Sequence, residues 1–141
     1  MNTPLTAIIV GAGNRALTYA AYALEHPDKL TIVGVADPSE WRRERAIKRF
    51  SIKPGKLYTS AAELAAQPKQ ADFIINGTMD QDHVATSVPL LELGYDLLLE
   101  KPMATSTEEL ALLAETARRH HCKVSVCHVL RYTPFYSAIR R

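Results

Sequence analysis

The stretch Leu5-Thr6-Ala7-Ile8-Ile9-Val10-Gly11-Ala12-Gly13-Asn14-Arg15-Ala16 decides the fold. A short apolar run ends at a glycine, and the Ala-, Leu- and Tyr-rich run from Asn14 to Glu25 has helical spacing. Gly11 to Ala16 matches G-x-G-x-x-G/A, set between a strand and a helix as that pattern requires. The first glycine permits a tight turn, the second lets backbone approach a diphosphate, and Ala16 is small enough for the helix to pack close to the strand. The helix N-terminus then offers unpaired N–H groups and the positive end of its dipole. Gly11, Gly13, Asn14 and Arg15 are the candidate phosphate contacts of this turn, although Arg15 reads equally well as a solvated helix residue.

The next apolar run, Leu30 to Ala36, ends at Asp37, about twenty positions after the turn. A carboxylate at that place accepts hydrogen bonds from both hydroxyls of a ribose and repels a 2′-phosphate. Taken alone, Asp37 is a plain cap on a strand-to-helix turn; glycines, acid and strand–helix–strand frame together point to a dinucleotide. Arg42 and Arg43 follow in a polar helix, Ser39 to Phe50, with Trp41 and Ile47 as its expected anchors. A solvated face is the preferred reading of both arginines, with tolerance of a 2′-phosphate as the alternative.

The remainder repeats the alternation. Strands are expected at Leu57 to Thr59, Ala71 to Asn76, Asp96 to Glu100 and Cys122 to Leu130. Helices are expected at Ala61 to Gln67, Asp82 to Leu93 and from Ser106 to about His120, two of them opened by the capping boxes Ser60-Ala-Ala-Glu63 and Ser106-Thr-Glu-Glu109. The fold class that follows is α/β, a Rossmann-like doubly wound and mainly parallel six-stranded sheet with helices on both faces. Apolar strands without clean alternation fit burial on both sides.

Composition narrows the function. The chain has 141 residues, 47% hydrophobic and 23% charged, enough for one domain with a real core. Seventeen Lys and Arg against fifteen Asp and Glu leave a net charge of +2, with no basic stretch interleaved with aromatics, so a nucleic-acid partner is not expected. No apolar run has the length of a membrane span and no basic segment precedes an apolar one, so no membrane partner and a cytoplasmic location are expected. Cys122 and Cys127 read as free thiols in a reducing compartment, placed on one strand with side chains to opposite faces. No cluster has metal-ligand spacing, so no metal is expected.

Glu100-Lys101-Pro102 closes the fifth strand, and ligands of an open α/β sheet bind outside the carboxyl ends of its strands. A lysine there can take part in proton transfer, although alone it is only a strand-end lysine. His128, near the end of the last strand, faces either the substrate side or the core.

The order Gly11-Ala-Gly-Asn-Arg-Ala16, Val-Ala-Asp37, Thr78, His83, Glu100-Lys-Pro102 and Val126-Cys-His-Val-Leu-Arg131-Tyr-Thr-Pro134 resembles the N-terminal domain of the glucose–fructose oxidoreductase/inositol dehydrogenase/rhizopine-catabolism (Gfo/Idh/MocA) family of NAD(P)-dependent oxidoreductases. The resemblance implies NAD as cofactor, with NADP possible, and Lys101 beside the nicotinamide assisting proton transfer. It implies cofactor contacts from Glu100, Pro102 and Thr78, with Pro102 following a cis peptide. Many relatives carry proline after the threonine; here Met79 stands in its place. His83 reads as a helix-start histidine at the pocket wall.

The implied activity is hydride transfer between the nicotinamide and a hydroxyl carbon of a sugar or polyol, in a homo-oligomer. Alternatives are an NAD-dependent redox-assisted glycosidase and a non-catalytic nucleotide-binding module. Family members have a second domain with the substrate pocket and the main acid/base histidine. The expected division is therefore residues 1–130 as the dinucleotide domain and 131–141 as the start of the helix leading to a second domain. This chain alone is expected to be inactive, with Tyr132, Phe135, Tyr136 and Ile139 forming exposed apolar surface.

Overall fold

The computed structural model describes residues 3–140; residues 1, 2 and 141, which fall inside the expected domain bounds, lie outside the described residues. Six strands form one all-parallel sheet: β1 (Leu5–Val10), β2 (Leu30–Ala36), β3 (Leu57–Tyr58), β4 (Phe73–Asn76), β5 (Asp96–Leu99) and β6 (Val124–Val126), in the order β3-β2-β1-β4-β5-β6. The helices between them are α1 (Asn14–Ala20), α2 (Tyr22–Glu25), α3 (Glu40–Phe50), α4 (Ala61–Ala65), α5 (His83–Glu92) and α6 (Thr107–Arg119), with α7 (Pro134–Ile139) after the sheet.

Both faces of the sheet are buried, so side chains alternate between two apolar cores rather than between core and water. Ile8, Val10, Ile74, Leu97 and Leu99 pack under α4, α5 and α6 through Leu64, Leu90 and Leu113. Ala7, Ile9, Val35 and Ile75 pack under α1 and α3 through Leu17, Ala46 and Phe50. Each large aliphatic side chain fully buried this way contributes about 1.5–3 kcal/mol.

Register places the site. Val10 pairs with both Ala36 and Asn76, and Asn76 pairs with Leu99. The residues that follow these four, Gly11, Asp37, Gly77 and Glu100, therefore stand side by side along the carboxyl edge. The strand order reverses at β1, so the edge between β1 and β4 is the topological switch point where open α/β sheets bind ligands.

Several local expectations are corrected. Trp41 does not anchor α3; it is 63% exposed, because the buried face of that helix is made by Ala46 and Phe50. The last strand is only Val124–Val126, and the chain then turns through a 3₁₀ segment at Val129–Tyr132. Cys122 and Cys127, both free, thus flank the strand instead of lying in it. In both capping boxes the serine Oγ accepts the expected N–H, from Glu63 and Glu109. The glutamates, however, reach back one residue further, to the N–H groups of Thr59 and Thr105, whose hydroxyls add a second bond to the same carboxylate.

Candidate functional site

Gly11 has φ +76°, a conformation that side chains rarely adopt, and a Cβ there would lie 2.7 Å from the Thr78 amide nitrogen. The turn is therefore tight because β1 and the loop after β4 touch at that point. A Cβ on Gly77 would come within 2.8 Å of Ala16 Cβ, so the small residues at 16 and 77 let α1 dock against the strand end. At Gly13 the missing Cβ would meet nothing nearer than the Gly77 carbonyl oxygen at 3.9 Å, which leaves that side open. No side chain caps α1, and no acidic residue stands in its first turn. An open, backbone-lined cradle with uncapped N–H groups suits a diphosphate, so the residues present fit a dinucleotide.

Asp37 is 1% exposed. Its Oδ2 accepts the Ala12 N–H at 2.8 Å and its Oδ1 accepts the Ser39 N–H at 2.8 Å, which locks the glycine turn to the start of α3. Each carboxylate oxygen keeps a further lone pair for a hydroxyl. Arg42 and Arg43 stand on a partly solvated face of α3 and reach back toward the acid. Arg42 Nη1 stands 3.8 Å from Asp37 Oδ2, and Arg43 Nη1 donates to the carbonyls of Asp37 and Pro38 at 2.6 and 3.1 Å. Arg45, not singled out in the sequence, stacks on Trp41 and donates to Ala12 O and Asn14 Oδ1.

At the other end, Glu100 is 9% exposed and fully engaged. Its Oε1 accepts the Tyr19 hydroxyl at 2.8 Å and faces Arg15 Nε at 3.9 Å, while its Oε2 accepts the Lys101 N–H at 2.7 Å. Arg15 and Tyr19 lie four apart on α1, so one face of that helix presents both to Glu100. Burial and the Glu100 carboxylate together push the Tyr19 phenol well above its ordinary range. Burial, with the Glu100 charge, also pushes the Cys127 thiol up, which leaves it a poor nucleophile. Lys101 itself is exposed and lines a cleft of about 450 Å³ together with Arg15, Glu100, Cys127, His128 and Arg131. His128 thus lies on the cleft side, not in the core.

The loop between these ends is fixed by buried polar groups. Asn76 sits at the end of β4, 1% exposed; its Nδ2 donates to Thr86 and Ser87, and its Oδ1 accepts the N–H and hydroxyl of Thr78. His83, fully buried, places Nδ1 2.6 Å from the Pro102 carbonyl oxygen and Nε2 3.2 Å from that of Thr78. It thereby ties the Thr78 loop to the Lys101–Pro102 turn, whose peptide is cis. A neutral imidazole donates to one of these carbonyls only. His83 holds the wall of the site, as its sequence context suggests.

The structure thus gathers Gly11, Gly13, Asn14, Arg15, Asp37, Thr78, Glu100, Lys101 and Pro102 along one sheet edge. Tyr19 and Arg45 are the supporting residues that sequence reasoning missed, and neither carries a local signal. The resemblance places the segment from Asn76 to Asp80 along the cofactor, without assigning Asn76 its bonds.

Residues 5–128 match the family described as "Oxidoreductase family, NAD-binding Rossmann fold" (GFO_IDH_MocA). Oxidoreductase P35 of Formosa agariphila is 28% identical over 94% of this chain and 40% of its own length. Rhizopine catabolism protein MocA of Rhizobium meliloti is 25% identical over 94% of this chain and 40% of its own. Among solved structures, the WlbA dehydrogenase of Chromobacterium violaceum, crystallised with NADH and UDP-GlcNAcA, superposes with a TM-score of 0.89 at 23% identity, over all of this chain and 40% of that one. The chain belongs to the Gfo/Idh/MocA oxidoreductase family and is its NAD-binding Rossmann domain. It spans about 40% of the length of these relatives.

Proposed function

We propose that this chain is the cofactor domain of an NAD-dependent oxidoreductase acting on a hydroxyl carbon of a sugar or polyol. The observation that carries this reading is the position of Lys101. It follows the engaged Glu100 at the end of β5, in the cleft that opens beside the glycine turn. A bound nicotinamide supplies the hydride acceptor or donor. Gly11, Gly13, Asn14 and Arg15 hold the diphosphate, Asp37 the ribose hydroxyls, and Thr78, Glu100 and Pro102 the wall along the cofactor. Glu100, held by Tyr19, fixes the backbone of Lys101, and the Lys101 ammonium moves or shares the proton of the reacting hydroxyl.

Residues 131–141 are proposed to lead into a second domain, which supplies the substrate pocket and main acid/base. The relatives' greater length supports this. On this reading the chain by itself binds cofactor without turnover. Tyr132, Phe135 and Ile139, 84%, 68% and 67% exposed, become buried in that domain or in a homo-oligomer.

The test is NADH formation by the intact protein on a panel of sugars and polyols, followed by its near-ultraviolet absorbance. Lys101→Met is expected to lower turnover by about 10²–10⁴ while NADH affinity holds. Glycoside cleavage without net NADH supports the redox-assisted glycosidase instead. Cofactor binding without either reaction leaves a binding module.

A further inference from the structure

The cleft beside Lys101 carries more positive charge than the cofactor accounts for. Lys101, Arg15 and Arg131 line it, with His128 beside them. Among the described residues the one acid in the lining is Glu100, and its oxygens are already taken by Tyr19, Arg15 and the Lys101 N–H. Among the described residues no carboxylate lies within ion-pair distance of Lys101 or Arg131. The rest of the lining is apolar, with Cys127, Val129 and Leu130.

Arg15 is accounted for by Glu100 and by the diphosphate of the glycine turn; Lys101 and Arg131 are not. The diphosphate belongs to the glycine turn after β1, whereas Arg131 follows β6, three strands away in the sheet. Three strand spacings amount to roughly 14 Å. Lys101 and Arg131 therefore face the far end of the site, where the uncharged amide of the nicotinamide and the substrate meet. Unpaired cations in a partly apolar cleft raise the local concentration of anions and reward a bidentate partner.

We infer that the cleft takes a polyhydroxy substrate bearing an anionic group, a carboxylate or a phosphate, with Arg131 binding that group and Lys101 left for the reacting hydroxyl. This rests on the cleft being the substrate side of the cofactor, as proposed above. A neutral polyol would offer the guanidinium of Arg131 hydroxyl acceptors but no countercharge.

Calorimetry on the NADH-loaded intact protein tests it, with D-gluconate, D-glucose 6-phosphate and D-glucitol as probes. At least one anion is expected to bind about tenfold more tightly than glucitol at low salt. The stronger of the two anions identifies carboxylate or phosphate. The gap should shrink as sodium chloride is raised, because exposed ion pairs are screened. Arg131→Gln is expected to lower anion affinity roughly tenfold, with NADH affinity and melting temperature unchanged; Arg131→Lys should recover part of it. Equal binding of glucitol, absence of binding by all three probes, or unaltered anion affinity in Arg131→Gln overturns the inference while leaving NADH binding intact. Failure to bind NADH at all overturns the underlying reading instead.

Discussion

The Tyr19 hydroxyl donates to Glu100 Oε1 at 2.8 Å, joining two residues 81 positions apart. One bond thus connects the helix that follows the glycine turn to the strand end that carries Lys101. Removing it by Tyr19→Phe leaves a buried carboxylate oxygen with only the distant Arg15, and is expected to cost about 1–2 kcal/mol in urea unfolding.

The same phenol sets an alkaline limit. Burial and Glu100 raise its pKa in the folded state, and burial raises that of Tyr95. A raised folded pKa gives stability that is complete below the ordinary phenol value of about 10 and is lost as pH climbs above it. Urea midpoints measured from pH 8 upward should fall beyond that value, and Tyr19→Phe should flatten the fall. A pH-independent difference between the two proteins would contradict the assignment.

At the acid end, Asp72 accepts the N–H and hydroxyl of Thr6 at 2.6 and 2.8 Å, which fastens β1 to the start of β4. The Thr6 N–H, then its hydroxyl, lowers the Asp72 pKa. A depressed folded pKa gives stability present above the ordinary value of about 3.9 and lost as pH falls through the lower folded one. Asp72→Asn should destabilise the chain at neutral pH, by no more than about 1 kcal/mol because the site is exposed, and weaken its acid sensitivity. Denaturant titrations at neutral pH and near pH 3 check both effects.

The strand, glycine turn and helix from Leu5 to Ala16 were legible because each element is local: apolar run, turn residues, helical spacing. Asp37 and Lys101 were legible as strand-end residues whose place on the edge follows from parallel register. Other features depend on what the folded chain brings together. The helix periodicity of α3 does not say that Ala46 and Phe50 pack inward while Trp41 stacks under Arg45. Tyr19 meets Glu100 only because four strands and their crossovers intervene, and His83 meets Pro102 because α5 and β5 bring the chain back to the same edge. The reach of Glu63 and Glu109 to a threonine before each cap is a matter of side-chain geometry that the capping pattern leaves open.

Asp37 should set cofactor preference. A 2′-phosphate beside its carboxylate meets like charge, tempered by Arg42 at 3.8 Å. NAD is expected to bind roughly tenfold or more tightly than NADP. Asp37→Asn, which keeps an acceptor for the Ser39 N–H, should narrow that gap. Equal or tighter binding of NADP by the unaltered chain would reverse the assignment.

The account places a dinucleotide along the carboxyl edge from Gly11 to Lys101, and amide chemical shifts during an NAD titration of the 15N-labelled chain test that most directly. Shifts are predicted at Gly13, Asn14 and Arg15, at the start of the loop after Asp37, and at Glu100 and Lys101, with those at the turn abolished in Gly11→Ala, where the new Cβ meets the Thr78 nitrogen at 2.7 Å. Perturbations confined to another surface, or none in a chain shown to be folded, would contradict it.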